Sequence, residues 1–197
     1  MKEQFIDDSA IFGVGEDLHK AIKEKILKRV DAILPCLKDK DVLSVGCGSG
    51  FSENEYSKVA RSVVGVDIDE NAISYAREHY KDIDFYCYDA IVVYPLLFKD
   101  NMFEVVVCTE VLEHMSKSNA EKVLDGIRHM LVDEGMLVGT VPVEDDVGSD
   151  QFHKVHYPLG VLQEMLGNYF KEVTIEKIEH PHPQYFFGNS WLFRCVK

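Results

Sequence analysis

The stretch that decides the fold is "DVLSVGCGSGF", residues 41–51. A short apolar run broken only by Ser44 leads into glycines at alternate positions, Gly46, Gly48 and Gly50, and a helix over 51–60 is expected after them. A glycine-rich turn between a strand and its helix lets backbone N–H groups and the helix N-terminus come close to a ligand. The three glycines are therefore read as clearance for a bound molecule, although a tight turn without a ligand could use the same residues. The spacing is not the G-x-G-x-x-G of a dinucleotide site and the loop has no basic residue, so nothing in it calls for a phosphate. No G-x-x-x-x-G-K-[ST] occurs, which removes support for nucleotide hydrolysis.

Outward from this stretch, strand and helix signals alternate. Before it, Ile22, Ile26, Val30 and Ile33 recur at helical spacing within a helix over 16–34, and the lysines of "KAIKEKILKRV" read as its solvated face. After it come the strand "SVVGVDI", a helix in "ENAISYAREHY" capped by Asp69, and the strand "DFYCYD". An irregular stretch through "YPLLFKDN" precedes the strand "FEVVVCT". A helix over 118–131 is expected to open with the capping box Ser118-x-x-Glu121, and the strand "MLVGTVP" to begin through Gly135. A helix near 159–168 follows, then "EVTIEKIEH" and "SWLFRCV", whose connection is too short for a crossover helix. This pattern predicts an α/β fold: a doubly wound, mainly parallel seven-stranded sheet with an antiparallel C-terminal strand and helices on both faces.

Composition narrows the function classes. The 197 residues, 46% apolar and 28% charged, fit one globular domain with a full core. Its expected parts are an N-terminal helical cap at 1–38, a ligand-binding core at 39–142, and an acceptor-side segment with the hairpin at 143–197. The N-terminus lacks the pattern of a signal peptide and no apolar run approaches a membrane span, so a cytoplasmic protein without a membrane partner is expected. Five scattered cysteines without a C-x-x-C suit reduced core thiols. A net charge of −13 argues against a nucleic-acid partner.

Asp67 lies 21 residues after Gly46 at the end of the second strand, where a carboxylate can accept hydrogen bonds from both hydroxyls of an adenosine ribose. Asp89, closing the third strand, would sit on the same edge and could accept from the adenine amino group. Which adenosine cofactor is meant stays open on this physics.

"VLSVGCGSG", "VVGVDIDENAISYARE", "YDA", "FEVVVCTEVLEHM" and "GMLVGTVP" together, over roughly 40–142, resemble the class I S-adenosylmethionine-dependent methyltransferases of the small-molecule type. The resemblance implies S-adenosyl-L-methionine as cofactor. It places Gly46 and Gly48 against the methionine part, Asp67 on the ribose, Ile68 on the adenine, and Asp89 with Ala90 along the adenine edge, with Cys47 and Gly50 also in the cofactor-binding set. Thr109 and Glu110 would lie near the transferring methyl. Ser44 departs from the family, which usually has Asp or Glu there; a serine cannot offset the ammonium charge of the cofactor.

Methyl transfer is an in-line displacement in which positioning removes much of the barrier, and a hydroxyl acceptor is helped by a base. Glu110, His114 and His153 are the candidate catalytic residues, with Glu113 and His156 also considered. If helical, "EVLEHM" would put Glu110, Glu113 and His114 on one face. Such a set resembles the metal site of small-RNA terminal 2′-O-methyltransferases, but "EVLEH" also occurs in small-molecule methyltransferases of the quinone-biosynthesis type, and no metal is assigned. His180 and His182 in "HPHP" read as a rigid turn. No N/D-P-P-Y/F follows the fourth strand, which argues against amino-methylation by that route.

The expected activity is methyl transfer to a small-molecule acceptor, O-methylation slightly favoured, by a monomer or homodimer. The alternatives are metal-assisted RNA 2′-O-methylation and a catalytically silent cofactor-binding subunit. The first 15 residues and 143–157 are the expected lid, and "YPLLF" and "PQYFFGN" could line an acceptor pocket.

Overall fold

A computed structural model describes residues 16–143, 153–180 and 189–197. The chain opens with α1 (Glu16–Leu37), then alternates β1 (Asp41–Val45), α2 (Phe51–Tyr56), β2 (Ser62–Asp67), α3 (Glu70–His79), β3 (Asp84–Cys87) and a one-turn α4 (Val93–Leu96). After β4 (Phe103–Thr109) come a 3-10 turn at Leu112–His114, α5 (Lys117–Met130), β5 (Leu131–Pro142), α6 (Leu159–Gly167), β6 (Glu172–Ile178) and β7 (Ser190–Val196). The seven strands lie in the order β3-β2-β1-β4-β5-β7-β6. Strands β1 to β5 are mutually parallel and β7 runs antiparallel to both β5 and β6, as the alternation and short final connection predict.

Strand periodicity sets the two layers. Leu43 and Val45 of β1, with Val106 and Cys108 of β4, face a core shared with Leu124 and Ile127 of α5 and Leu162 and Leu166 of α6. Val42 of β1, with Val105 and Val107 of β4, faces the opposite core of Val30, Ile33 and Leu37 from α1, Tyr56 from α2 and Ile73 from α3. Each fully buried aliphatic side chain contributes about 1.5–3 kcal/mol. Ser44 alternates with its neighbours onto the α1–α3 side, which matters for the site. Chain direction around the sheet reverses between β1 and β4, and the carboxyl ends of these strands form the crevice where doubly wound folds take ligands.

Several boundaries differ from expectation. Helix α2 ends at Tyr56 rather than 60. Helix α5 starts one residue early and is capped by Ser116, whose side chain accepts from the Asn119 N–H, so Ser118 is inside the helix and not its cap. Strand β5 begins at Leu131 because Leu131 already pairs with Phe103 before a register shift; the left-handed residue of that irregularity is Glu134 (φ 60°), one before Gly135. Asp69 caps α3 as predicted, accepting from the Asn71 N–H. All five cysteines are free; Cys47, Cys108 and Cys195 are buried, but Cys87 is exposed at the end of β3 and is no core thiol. In "YPLLF", Phe98 is spent on packing against Phe103. Among the described residues no helix is long and apolar enough to cross a membrane. The proposed lid residues 1–15 and 144–152, and His182 with most of "PQYFFGN", lie outside the described residues.

Candidate active site

The glycine loop folds over the end of β2: the N–H groups of Gly46 and Cys47 donate to the Val66 carbonyl at 2.8 and 3.0 Å. Gly46, Gly48 and Gly50 all have positive φ (77°, 52° and 83°), a region costly for residues with a Cβ. Their surroundings divide them. A Cβ on Gly46 would lie 2.3 Å from Val111 Cγ2, and one on Gly50 2.8 Å from the Phe85 ring, whereas one on Gly48 would meet nothing within 4 Å. Gly46 and Gly50 are thus explained by packing inside the protein, and only Gly48 borders open space, which narrows the clearance reading to one residue. Cys47 is buried, and burial followed by the charges of Glu53 and Asp67 pushes its thiol well up, so it is a packing residue.

Asp67 ties the loop to β2. One carboxylate oxygen accepts from the Gly48 N–H at 2.8 Å and the other from the Asp69 N–H at 2.9 Å. Beside it Ile68 is 62% exposed, an apolar side chain left uncovered at the crevice edge. The Tyr88 N–H donates to the Asp67 carbonyl at 2.8 Å, bringing the start of the Asp89–Ala90 segment alongside; Asp89 accepts from the Ile91 N–H at 2.9 Å. Ala90 is half-buried, and Thr109 sits half-buried where β4 ends.

Beneath the loop lies a residue that the sequence pattern does not single out. Ser44 Oγ donates to Glu53 Oε1 at 2.6 Å, and both side chains are buried. Burial, with a further push from Asp67, raises the Glu53 carboxyl to about 7 against the opposing Ser44 hydrogen bond. In "FSENEY" nothing distinguishes Glu53 from a solvated glutamate such as Glu55; the only hint is the acid missing at position 44.

Glu110 has φ 54° and leaves the line of β4. Its carboxylate accepts from Thr140 Oγ1 (2.8 Å) and Ser190 Oγ (3.2 Å) and lies 3.0 Å from Arg29 Nη1 and 4.0 Å from Lys25 Nζ. Burial alone would raise its pKa, but Arg29, Lys25 and the two hydroxyls outweigh it and hold the carboxyl low. Lys25 and Arg29 are therefore not part of a solvated face; they turn inward, and burial lowers the Lys25 pKa. His180 joins this network through Ser190 Oγ at 3.3 Å and is buried; the rest of the expected "HPHP" turn lies outside the described residues. Burial, then the charges of Lys25 and Arg29, bring its pKa down to about 4.

The expected helical face of "EVLEHM" does not form, because Glu110 stands outside the 3-10 turn that carries Glu113 and His114. A different set comes together. Lys154 and Val155 donate their N–H groups to the Glu113 carbonyl at 2.7 and 3.2 Å, and Tyr157 OH reaches the Leu112 carbonyl at 3.3 Å. This docks the segment after 152 against the turn and sets the His153 ring 5.1 Å from that of His114, with His156 6.1 Å beyond. One ligand atom each from Glu113, His114 and His153 lies within 4.8 Å of the others. Glu113 is 2% exposed and neither carboxylate oxygen has a hydrogen-bond partner. Burial and then the Glu110 charge push its carboxyl well up.

Comparison with known proteins agrees with this geometry. The family model for a methyltransferase domain matches residues 42–135. The ubiquinone biosynthesis O-methyltransferase of Coxiella burnetii (strain Dugway 5J108-111) is 37% identical over 84 residues, covering 40% of this chain and 34% of the relative; the shared stretch is about a third of that relative's own length. Among solved structures, a SAM-dependent methyltransferase from Archaeoglobus fulgidus superposes with a TM-score of 0.72 at 19% identity, covering 93% of this chain and all of that one. The N-methyltransferase NodS from Bradyrhizobium japonicum WM9 gives 0.71 at 18%, covering 92% and 98%. At such identities the superpositions speak for the fold, while the matched sequence spans the glycine loop, Asp67, Asp89 and the Glu113–His114 turn. Residues 42–135 match a methyltransferase domain, and the chain is similar there to S-adenosylmethionine-dependent methyltransferases, whose fold it shares.

Proposed function

We propose that the chain transfers a methyl group from S-adenosyl-L-methionine to a small-molecule acceptor, with a hydroxyl as the favoured nucleophile. The observation that carries this reading is the pairing of open space over Gly48 with the Asp67 carboxylate that its N–H holds. Asp67 would accept from the ribose hydroxyls and the exposed Ile68 would cover the adenine, with Asp89 and Ala90 along its edge. Gly46 to Gly50 and Thr109 would border the methionine part. The cofactor supplies an electrophilic methyl on a positively charged sulfur.

The chain's own work is positioning and proton management. His114 and His153 flank the acceptor side, and an imidazole there can take the proton of an attacking hydroxyl; such general bases contribute about 10²–10⁴-fold. We assign Glu110 to anchoring rather than proton transfer, since Thr140, Ser190, Arg29 and Lys25 already engage its carboxylate. The printed name of the Coxiella relative supports oxygen as acceptor atom. The test is turnover of a panel of hydroxylated metabolites by the purified chain, with His153→Ala lowering kcat by about a hundredfold or more. Absence of methyl transfer to any hydroxyl, with transfer to amines instead, would overturn the acceptor assignment.

One observation favours a second reading, metal-assisted O-methylation, whether of a small molecule or of an RNA 3′ end: the Glu113, His114 and His153 donors within 4.8 Å. A carboxylate with two imidazoles suits manganese, zinc or magnesium. Such an ion would offset the burial and the Glu110 charge that push the Glu113 carboxyl up.

A further inference from the structure

Three acids lie near the glycine turn and the end of β4, Glu53 and Glu113 buried and Glu110 half-buried, and they differ in what surrounds them. Glu110 has Arg29 and Lys25, and Glu113 has the His114 ring 3.9 Å away. Glu53 has Ser44 on one oxygen, while its other oxygen, Oε2, is buried with no hydrogen-bond partner. The charge that bears on it most is that of Asp67, which is also negative.

A buried carboxylate in this position keeps a proton or takes a cation. Ser44 is built to pass the demand outward. A hydroxyl has a single proton, and Ser44 commits it to Glu53, which leaves the Ser44 oxygen as an acceptor for one more donor. Ser44 lies two residues before Gly46, on the strand that feeds the loop. Glu53 and Asp67 together act on the Cys47 thiol within that loop, so the glycine turn sits over a pair of carboxylates. S-adenosylmethionine brings two positive groups, a sulfonium and an α-ammonium, and only the ammonium donates hydrogen bonds.

We infer that Glu53, working through Ser44, is the counter-charge for the α-ammonium of the cofactor's methionine moiety. Glu53 is thus a positioning residue: the acid absent from position 44 reaches the same place from the first turn of α2. The inference rests on the cofactor reading above. It also implies that ligand binding at neutral pH expels the Glu53 proton, since an arriving ammonium favours the ionised form.

The test compares S-adenosylhomocysteine, which keeps the ammonium and lacks the sulfonium, with methylthioadenosine, which lacks the amino-acid part. Calorimetric titration is done on the full chain and on Glu53→Gln, with folding checked by thermal melting. Loss of a charge-assisted hydrogen bond should weaken S-adenosylhomocysteine about ten- to hundredfold while methylthioadenosine stays within about twofold. Ser44→Ala should show the same selectivity, and it serves as the variant if Glu53→Gln does not fold. In the unaltered chain, affinity for S-adenosylhomocysteine should rise from about pH 5.5 to about pH 8 while that for methylthioadenosine stays level. The other groups facing Glu53 are Asp67 from β2, Cys47 from the loop and Tyr56 on its own helix, the last also under the charge of Arg29 from α1; Glu53→Gln keeps all of them, so loss of the pH dependence in that variant isolates Glu53. Equal weakening of both ligands, or of neither, overturns the inference. Failure of the unaltered chain to bind either ligand overturns instead the cofactor reading beneath it.

Discussion

Arg29 Nη1 lies 3.0 Å from Glu110 Oε2, so the first helix is fastened to the residue that follows the fourth strand. The pair is largely out of solvent, with side-chain exposures of 15% and 19%, and Thr140 and Ser190 complete the carboxylate's hydrogen bonds. Helix α1 is therefore part of the site's wall.

Removing Arg29 leaves the Glu110 carboxylate, largely out of solvent, with Lys25 4.0 Å away as its remaining counter-charge. Arg29→Ala should cost about 3 kcal/mol, read as a lower urea midpoint with an unchanged slope. The double variant Arg29→Ala/Glu110→Gln should recover part of that loss, because no under-compensated carboxylate remains. Independent, additive effects of the two changes would contradict the pairing.

Stability should depend on pH through the buried acids in a way whose sign is fixed. Glu53 is raised to about 7 when folded, above the roughly 4.3 of an unfolded glutamate. Its contribution is complete below the unfolded value and is lost as pH rises through about 7, by up to about 1.4 kcal/mol per pH unit between the two. Glu113, also raised, acts in the same sense. Glu110 is lowered, so its contribution is present above the unfolded value and disappears only in more acid solution. Urea unfolding from about pH 4.5 to about pH 7 should show a shallower slope in Glu53→Gln than in the unaltered chain. Identical slopes would contradict the buried, proton-holding state of Glu53.

The three loop glycines should separate by variant. Gly48→Ala should cost about 1–2 kcal/mol of backbone strain, leave the fold intact and impair cofactor binding, because its methyl would enter the open crevice. Gly46→Ala should instead lower the melting temperature sharply, since its methyl collides with Val111. Normal cofactor affinity in a folded Gly48→Ala chain would contradict the cradle.

Chelator separates the two proposed readings. Metal-free catalysis by His114 or His153 predicts that methyl transfer to a hydroxylated acceptor survives chelator treatment. Activity that vanishes and returns with manganese, zinc or magnesium, and that Glu113→Gln abolishes, would select the metal-assisted reading in its place.

The architecture was legible because strand periodicity and the glycine turn act locally: β1, β2 and β4 carry continuous apolar runs, and Asp69 caps α3 through a contact two residues away. Within the candidate site, what was legible was placement: Asp67 closes β2 and Gly48 lies in the turn after β1. Contacts made across the fold were not. Lys25 and Arg29 look like a solvated face until Glu110 is brought beneath them, and nothing local marks His180 as buried against Ser190, ten residues later. "EVLEHM" has helical spacing, yet the positive φ of Glu110 breaks the register and divides one expected constellation into two. Glu53 was invisible because its partner lies on another element, nine residues earlier.

The central claim is that the crevice at the carboxyl ends of β1 and β2 takes S-adenosylmethionine through Asp67. Calorimetric titration of S-adenosylhomocysteine into the purified chain and into Asp67→Ala tests it most directly. Binding by the unaltered chain, weakened by about 1–3 kcal/mol in the variant through loss of charge-assisted hydrogen bonds, is the predicted result. No binding by the unaltered chain, or the same affinity in a folded Asp67→Ala protein, would contradict it.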